Sequence, residues 1–191
     1  MIRTRSPLVL ASASPRRHLL MTMLGIPFTC VVSGISENIP LCSPETMVQE
    51  LARTKAFAVV PLLPGPSTVV GADTIVVLDG RILGKPADKK EAKTMLSRLQ
   101  GRTHTVLTGL CVLDSETGRY LSDFESTEVT FAPMTEEEID GYVATGEPMD
   151  KAGAYGIQGP CAVYISGISG CYYNVVGLPL HKLATMLKAF E

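Results

Sequence analysis

The run Thr68–Leu78 is the feature that most constrains the fold, because it holds the densest group of β-forming residues in the chain. Its Val and Ile side chains are among those that strands favour. Asp79 and Gly80 follow at once, and this dipeptide is a strong signal for a tight hairpin turn. We therefore predict a long strand over 68–78, a two-residue turn and a returning strand over 81–83.

Helix start signals and short apolar runs alternate along the rest of the chain. Ser14 followed by Pro15 is a typical helix N-cap, and Ser43 with Pro44 repeats it. Other helices are predicted over 88–99, over 135–146 and from 179, and other strands over 7–11, 28–32, 105–113, 120–131, 162–165 and 172–176. This mixture predicts an α/β fold with a mixed, partly antiparallel sheet and flanking helices.

The composition suits a single domain over residues 1–191, or two closely packed lobes. Hydrophobic residues make up 46% of the chain and charged residues 19%, so a sizeable core can form. The net charge of -2 lacks the basic excess of a general nucleic-acid binder, so we expect no nucleic-acid partner. The apolar runs are too short for a bilayer span or a signal peptide, and the five cysteines form no CxxC pair. We expect a cytoplasmic protein with reduced thiols and no membrane partner.

Asp73 breaks the pattern of the predicted central strand, because it places a carboxylate within an apolar run. A buried, unpaired carboxylate is costly, so this group needs a cation, a metal or a water-filled cleft. Gly71, just before it, would permit a bulge or a close approach by another segment. A solvent-facing strand end or a structural ion pair would also explain Asp73, but we favour a functional acid because perturbed charges mark sites.

Arg16 and Arg17 fall in the first turn of a predicted helix, where the helix dipole disfavours cations. They either hold an anion against free backbone N–H groups or are simply solvated. Ser12 and Ser14 supply hydroxyl groups beside the same place.

Two lysines are further candidates. Counting outward from the hairpin turn sets Lys85 opposite Thr74, unless the glycine and proline beside the lysine shift the register. Lys55 continues the apolar stripe of the helix after Ser43, so it either snorkels past the core edge or points into a cleft. The alternative for Lys85 is an exposed edge lysine, which is common.

Glu37 and Gln158 lie on predicted loops, where solvated or backbone-bonded side chains are common. Gln158 can donate and accept hydrogen bonds together, as recognition of a base edge requires. Cations gathered with a carboxylate suit a polyphosphate, with the carboxylate holding a divalent metal or activating water. The chain has no GxxxxGK[ST] or GxGxxG phosphate loop.

The chain resembles the Maf family along nearly its whole length. The resemblance rests on the stretches Leu10–Arg17 (LASASPRR), Gly71–Thr74 (GADT), Gly84–Pro86 (GKP), Gly101–His104 (GRTH), Gly146–Gly153 (GEPMDKAG), Tyr155–Gly159 (YGIQG) and Val176–Leu180 (VGLPL). It implies nucleoside triphosphate pyrophosphatase activity and a two-lobed α/β fold with a cleft, related to inosine triphosphate pyrophosphatases. It also implies a divalent metal cation, Mg²⁺ or Mn²⁺, and a homodimer.

The resemblance also implies roles for individual residues. Asp73 would be the catalytic proton acceptor and, with Glu37, a metal ligand. Many relatives have a second acid beside Glu37, whereas its neighbours here are Ser36 and Asn38. The phosphate-binding residues would be Ser12, Arg16, Arg17, Lys55 and Lys85. The residues that set the base preference would be Arg16, Thr74 and Gln158.

The run from Asp150 to Gly159 is similar to the subgroup that acts on dTTP and UTP. Our hypothesis is hydrolysis of these nucleotides, or of modified pyrimidine nucleotides, to the monophosphate and pyrophosphate. The triphosphate would lie across the start of the first helix, and water activated by Asp73 would attack the α-phosphorus in line. The alternatives are a 7-methyl-GTP pyrophosphatase and a nucleotide-sensing regulator of cell division.

Overall fold

The computed structural model describes residues 4–34 and 42–191. Its helices are α1 (Pro15–Thr22), α2 (Pro44–Ala58), α3 (Lys89–Leu99), α4 (Glu136–Ala144), α5 (Tyr172–Val176) and α6 (Leu180–Lys188). Its strands are β1 (Leu8–Leu10), β2 (Phe28–Cys30), β3 (Thr68–Leu78), β4 (Arg81–Leu83), β5 (Thr103–Asp114), β6 (Tyr120–Phe131) and β7 (Ile165–Ser169). Short 3₁₀ turns occupy Val60–Leu62, Glu147–Asp150, Ala152–Ala154 and Pro160–Tyr164.

The strands form a seven-stranded sheet in the order β2-β1-β3-β5-β6-β7, with β4 also paired to β3. β1 runs parallel to both β2 and β3, whereas β4 is antiparallel to β3 and β7 is antiparallel to β6. The mixed sheet with flanking helices confirms the predicted α/β class. The β3–β4 hairpin also lies where the sequence predicts it, with Leu78 paired to Arg81.

The chain divides into two compact units. The first unit contains Met1–Asp73, Thr108–Glu125 and Gly177–Glu191, and the second contains Thr74–Leu107 and Ser126–Val176. The boundary falls inside β3, β5 and β6, so each of these strands contributes residues to both units.

The core of the first unit packs α2 directly against the sheet. It contains Val9, Ala11, Ala52, Ala56, Val59, Val69, Cys111 and Leu113. Glycines allow the close approach: a Cβ at Gly71 would lie 2.1 Å from the Ala52 carbonyl oxygen, and one at Gly109 would lie 2.1 Å from the Val48 carbonyl oxygen. Helix α2 therefore lies on the strand backbone itself, where any larger residue would push it away.

The core of the second unit includes a group of buried rings. His104 and Tyr155 share a hydrogen bond of 2.7 Å between Nε2 and the phenol oxygen. The ring of Phe131 lies edge-on to Tyr155, with centroids 4.9 Å apart. Helices α3 and α4 contribute residues such as Leu96 and Ile139 to the same core. His104 Nε2 and the Tyr155 hydroxyl are thus paired where water is excluded, whereas the buried Nδ1 of His104 has no hydrogen-bond partner among the described residues.

The predicted helix caps are present. The side chains of Ser14, Ser43, Asp88 and Thr135 each accept a hydrogen bond from the backbone N–H three residues later. Thr135 and Glu138 form the full capping box. Local chemistry read from the sequence is therefore enough to place these helix starts.

Two predicted strands near the C-terminus are wrong. Residues Tyr172–Val176 form α5, and most of the predicted strand 162–165 is a 3₁₀ turn that precedes β7. The buried Asn174 explains the first difference, because its Nδ2 donates to the Val106 carbonyl at 3.0 Å and to Thr127 Oγ1 at 2.9 Å. These tertiary hydrogen bonds outweigh the β-propensity of the segment.

Replacing Gly109 with alanine should destabilise the protein. The added Cβ would lie 2.1 Å from the backbone oxygen of Val48 and 2.7 Å from the backbone nitrogen of Gln49, so α2 must shift. We expect Gly109→Ala to lower the free energy of unfolding by about 2 kcal/mol, measured by urea denaturation. Gly65→Ala is the matched control, since nothing lies within 4 Å of a Cβ there. Equal stability of the two variants would contradict the close packing of α2.

The buried His104 should make stability depend on pH. Burial lowers the pKa of His104 from 6.5 to about 4. Between these values the unfolded chain binds a proton that the folded protein does not, so stability falls as the pH drops from 6.5 to 4. We expect this residue to account for a loss of about 3 kcal/mol between pH 7 and pH 4.

Urea denaturation at both pH values tests this, with His104→Gln as the variant without a titrating ring. His104→Gln should lose less stability than the wild type on acidification, while the exposed control His181→Gln should follow the wild type. A wild-type pH profile in His104→Gln would show that another group is responsible.

Candidate active site

The carboxyl end of β1 meets β3 just before Asp73. The two parallel strands pair Leu10 with Val70, and the backbone N–H of Ala11 donates to the Val70 carbonyl at 2.8 Å. The chain then leaves the sheet and enters α1 at Pro15. Ligand sites in α/β folds commonly form where parallel strands end and helices begin. Asp73 lies in β3 three residues after Val70, the last residue that pairs with β1.

The start of α1 carries the hydroxyls and cations that the sequence singled out. Ser14 caps the helix: its Oγ accepts from the Arg17 N–H at 3.4 Å, and its own N–H donates to Ser12 Oγ at 3.2 Å. Arg16 and Arg17 occupy the first turn and are both half-buried. Backbone N–H groups, the positive end of the helix dipole and these guanidinium groups together favour an anion at this end of α1.

Arg17 also has a structural contact. Its Nε donates to the carbonyl of Gly177 at 2.8 Å. Gly177 is buried and adopts a φ of 119°, which side chains other than glycine rarely tolerate. The contact ties the start of α1 to the segment that leads into α6, and a phosphate contact from Arg17 would have to use its terminal nitrogens.

Asp73, which is buried, and Lys55, which is half-buried, form an ion pair in the first unit. Asp73 is 7% exposed, and Lys55 Nζ donates to its Oδ1. The pair depends on the close contact of α2 with β3, because Lys55 lies on the helix turn that includes Ala52 and Ala56. A Cβ at Gly71 would lie 3.0 Å from the Ala56 Cβ, so glycine is needed there to bring the lysine to the acid. The ammonium offsets the cost of burying the carboxylate.

The predicted site residues fall into two groups. The first unit contains Ser12, Arg16, Arg17, Lys55 and Asp73. The second unit contains Thr74, Lys85 and Gln158. Glu37 lies outside the described residues, so its predicted metal role stays a prediction. The structure thus joins Lys55 to Asp73 directly, while the roles of these residues in binding or catalysis remain predictions.

Within the second unit, Lys85 and Gln158 are both exposed. The β3–β4 ladder pairs residues from Leu78 with Arg81 to Val76 with Leu83, so Lys85 follows the paired region. The Gly84 carbonyl accepts from the Gly153 N–H at 3.0 Å, which joins the end of β4 to the glycine-rich segment. Lys85 and Gln158 can therefore meet a solute without displacing core side chains.

The donor chemistry of Asp73 suits a hard divalent cation. Mg²⁺ is commonly held by one or two carboxylates together with substrate phosphates and water. Within residues 4–34 and 42–191, no cluster of three or more His, Cys, Asp or Glu side chains forms an all-protein metal cage. A metal shared between Asp73 and a bound polyphosphate fits this donor set.

Two further expectations concern the thiols and the membrane. All five cysteines are free, as the sequence predicts: Cys30, Cys42, Cys111, Cys161 and Cys171. None of the helices in the described part of the chain combines the length and apolar character needed to cross a membrane.

Sequence reasoning assigned no role to a cluster around Glu147. This side chain packs against Gly156 and Gly159, which lie on either side of Gln158. The sequence held a signal for it, since glycine is the usual residue where the backbone turns tightly or is closely approached. Which side chain makes that contact could be learned only from the tertiary structure.

The sequence matches the family described as Maf-like protein over residues 7–190. A relative from Symbiobacterium thermophilum named dTTP/UTP pyrophosphatase is 54% identical over 184 residues, which is 96% of this chain and 93% of the relative. A relative of the same name from Pelotomaculum thermopropionicum is 52% identical over 184 residues, which is 96% of each chain.

A solved nucleoside-triphosphatase / dITP/XTP pyrophosphatase from Mycobacterium abscessus has a TM-score of 0.40 and 15% identity, over 67% of this chain and 75% of that one. This structural similarity is too low to indicate a function. The match to the family and the identity to relatives over nearly the whole chain show that this chain belongs to the Maf family.

Proposed function

We propose that this protein is a nucleoside triphosphate pyrophosphatase that hydrolyses dTTP and UTP to the monophosphate and pyrophosphate. The observation that carries the proposal is the ion pair between the buried Asp73 and Lys55, beside the carboxyl end of β1. The names of relatives at about half identity support the substrate class.

The positive groups of the first unit would bind the triphosphate. Arg16 and Arg17 offer guanidinium groups at the start of α1, and the hydroxyl of Ser12 is beside them in the chain. Lys55 would add an ammonium next to the acid. From the family resemblance we propose Lys85 as a further phosphate-binding cation. Such cations offset the charge that develops on the leaving pyrophosphate, which is the main contribution proteins make to phosphoryl transfer.

Asp73 would act as the proton acceptor. A carboxylate presents two oxygens, so accepting a hydrogen bond from Lys55 at Oδ1 leaves capacity to take a proton from water. The water oxygen forms a bond to the α-phosphorus, the bond from that phosphorus to the bridging oxygen of the β-phosphate breaks, and pyrophosphate leaves. Lys55 would hold the carboxylate in one orientation during this step.

A divalent cation, Mg²⁺ or Mn²⁺, would be held by Asp73, by Glu37 and by the phosphates of the substrate. When bound, it would supply positive charge that polarises the phosphate oxygens. This proposal rests on the donor chemistry of Asp73 and on the family resemblance.

The base would be read by Arg16, Thr74 and Gln158. Thr74 follows Asp73 in β3, so a residue that reads the base would sit next in the chain to the one that performs the chemistry. Gln158 presents both a donor and an acceptor, which suits the edge of a pyrimidine.

We further propose a cytoplasmic homodimer with no nucleic-acid or membrane partner, and the free thiols fit a reducing compartment.

Removing the proton acceptor should abolish most of the activity. We expect Asp73→Asn to lower kcat for dTTP and UTP at least about a hundredfold, because an amide cannot accept the proton. Pyrophosphate release in the presence of Mg²⁺ or Mn²⁺ measures this, and a thermal melt checks the fold. Asp140→Asn, on the exposed side of α4, is the matched control and should keep wild-type turnover. Near-normal turnover of Asp73→Asn would contradict the role of Asp73 as the proton acceptor.

The nucleotide preference is tested separately with initial rates over a panel of triphosphates. We expect kcat/KM for dTTP and UTP to exceed the values for ATP, GTP and 7-methyl-GTP by about tenfold or more. The products should be the monophosphate and pyrophosphate, in equal amounts. A panel led by purines would refute the pyrimidine preference but not the reaction type. Binding without release of pyrophosphate would refute the enzyme and favour a nucleotide-sensing protein.

A further inference from the structure

The segment from Glu147 to Gly159 is a series of tight turns that carries Gln158. The turns Glu147–Asp150 and Ala152–Ala154 lead into a loop that ends at the turn Pro160–Tyr164. Gln158 is exposed within that loop. A side chain on an irregular loop presents its amide in one direction only if the loop backbone is supported by the rest of the fold.

The carboxylate of Glu147 supports this loop by direct contact with two glycines. A Cβ at Gly159 would lie 2.1 Å from Glu147 Oε1, and one at Gly156 would lie 2.7 Å from the same oxygen. Gly159 has a φ of -105°, which any residue can adopt, so glycine is needed there for space and not for backbone freedom. The two glycines that flank Gln158 therefore form a surface on which the carboxylate packs.

Lys151 and Tyr142 complete the support. Lys151 Nζ donates to the Glu147 carbonyl at 2.7 Å and to Asp150 Oδ1 at 2.7 Å, and it lies 3.7 Å from Glu147 Oε1. The backbone N–H of Gly156 donates to the Tyr142 hydroxyl at 3.1 Å. The Lys151 side chain is only 12% exposed, so its ammonium is largely committed to the turn and not to solvent.

We propose that Glu147 and Lys151 are positioning residues for base recognition, which act by fixing the loop that presents Gln158. The inference rests on the proposed function, because it takes Gln158 as the residue that reads the pyrimidine. The Glu147 carboxylate and the methylene groups of Lys151 contact the loop at its glycines, while the Lys151 ammonium holds the turn that carries Glu147. Both side chains would act on the substrate only through Gln158. Loss of the support should therefore weaken binding and selectivity for the base more than the rate of the chemical step.

The test uses Gly159→Ala and Glu147→Ala. The atoms that oppose a Cβ at position 159 are the end of a side chain, so the carboxylate can swing aside and the fold is expected to survive. We expect each variant to raise KM for dTTP and UTP about tenfold, to change kcat by less than about threefold and to reduce the preference over purine triphosphates. Glu147→Gln, which keeps the packing, should stay within about threefold of the wild-type KM.

The double variant tests whether the two substitutions remove one shared contact or cause two independent defects. Both changes remove the same contact, so the KM of the Glu147→Ala, Gly159→Ala protein should match the worse single variant and not the product of the two effects. Gly141→Ala is the control, because a Cβ there has nothing within 4 Å. Multiplied effects, a wild-type KM in Glu147→Ala, or a kcat loss shared by all nucleotides with unchanged selectivity would each overturn the inference.

Amide hydrogen exchange provides a reading that does not depend on activity. Exchange over residues 153–160 should be faster in Glu147→Ala and Gly159→Ala than in the wild type and in Gly141→Ala. Unchanged exchange contradicts the inference whatever the protein hydrolyses. A wild-type protein that releases no pyrophosphate from any triphosphate contradicts the proposed function instead.

Discussion

The ion pair between Lys55 and Asp73 is the interaction on which the candidate site depends. A carboxylate that is 7% exposed needs a compensating charge, and the ammonium of α2 supplies it. The lysine reaches the acid only because α2 lies on the backbone of β3, which requires the absence of a side chain at Gly71. The packing of α2 on β3 and the ion pair of the candidate site therefore both depend on the absence of a side chain at Gly71.

The cations of α1 are explained by the same need to balance charge. Arginines in the first turn of a helix are electrostatically unfavourable in the absence of an anion. Arg17 recovers some of this cost through its hydrogen bond to Gly177, while the first-turn N–H groups and Arg16 favour a negative ligand. The triphosphate that we propose as the substrate would place negative charge beside these groups.

The second unit uses glycine in a related way at a different place. Gly156 and Gly159 leave room for the carboxylate of Glu147, as Gly71 leaves room for α2. In both cases glycine is needed because a side chain would block the close approach, and not because the backbone is left-handed. The loop that carries Gln158 is consequently held by a charged side chain. The base recognition that we propose for Gln158 would then depend on a cluster that does not itself meet the base.

Local sequence chemistry determined the helix starts at Ser14, Ser43, Asp88 and Thr135 and the β3–β4 hairpin, because caps and tight turns depend on neighbours in the chain. It also singled out Asp73, since a carboxylate within an apolar strand requires a partner. The tertiary structure alone decided that the partner is Lys55 and that Tyr172–Val176 is helical. These outcomes depend on atoms far apart in sequence, such as the Val106 carbonyl that Asn174 binds, and no local pattern encodes such distances.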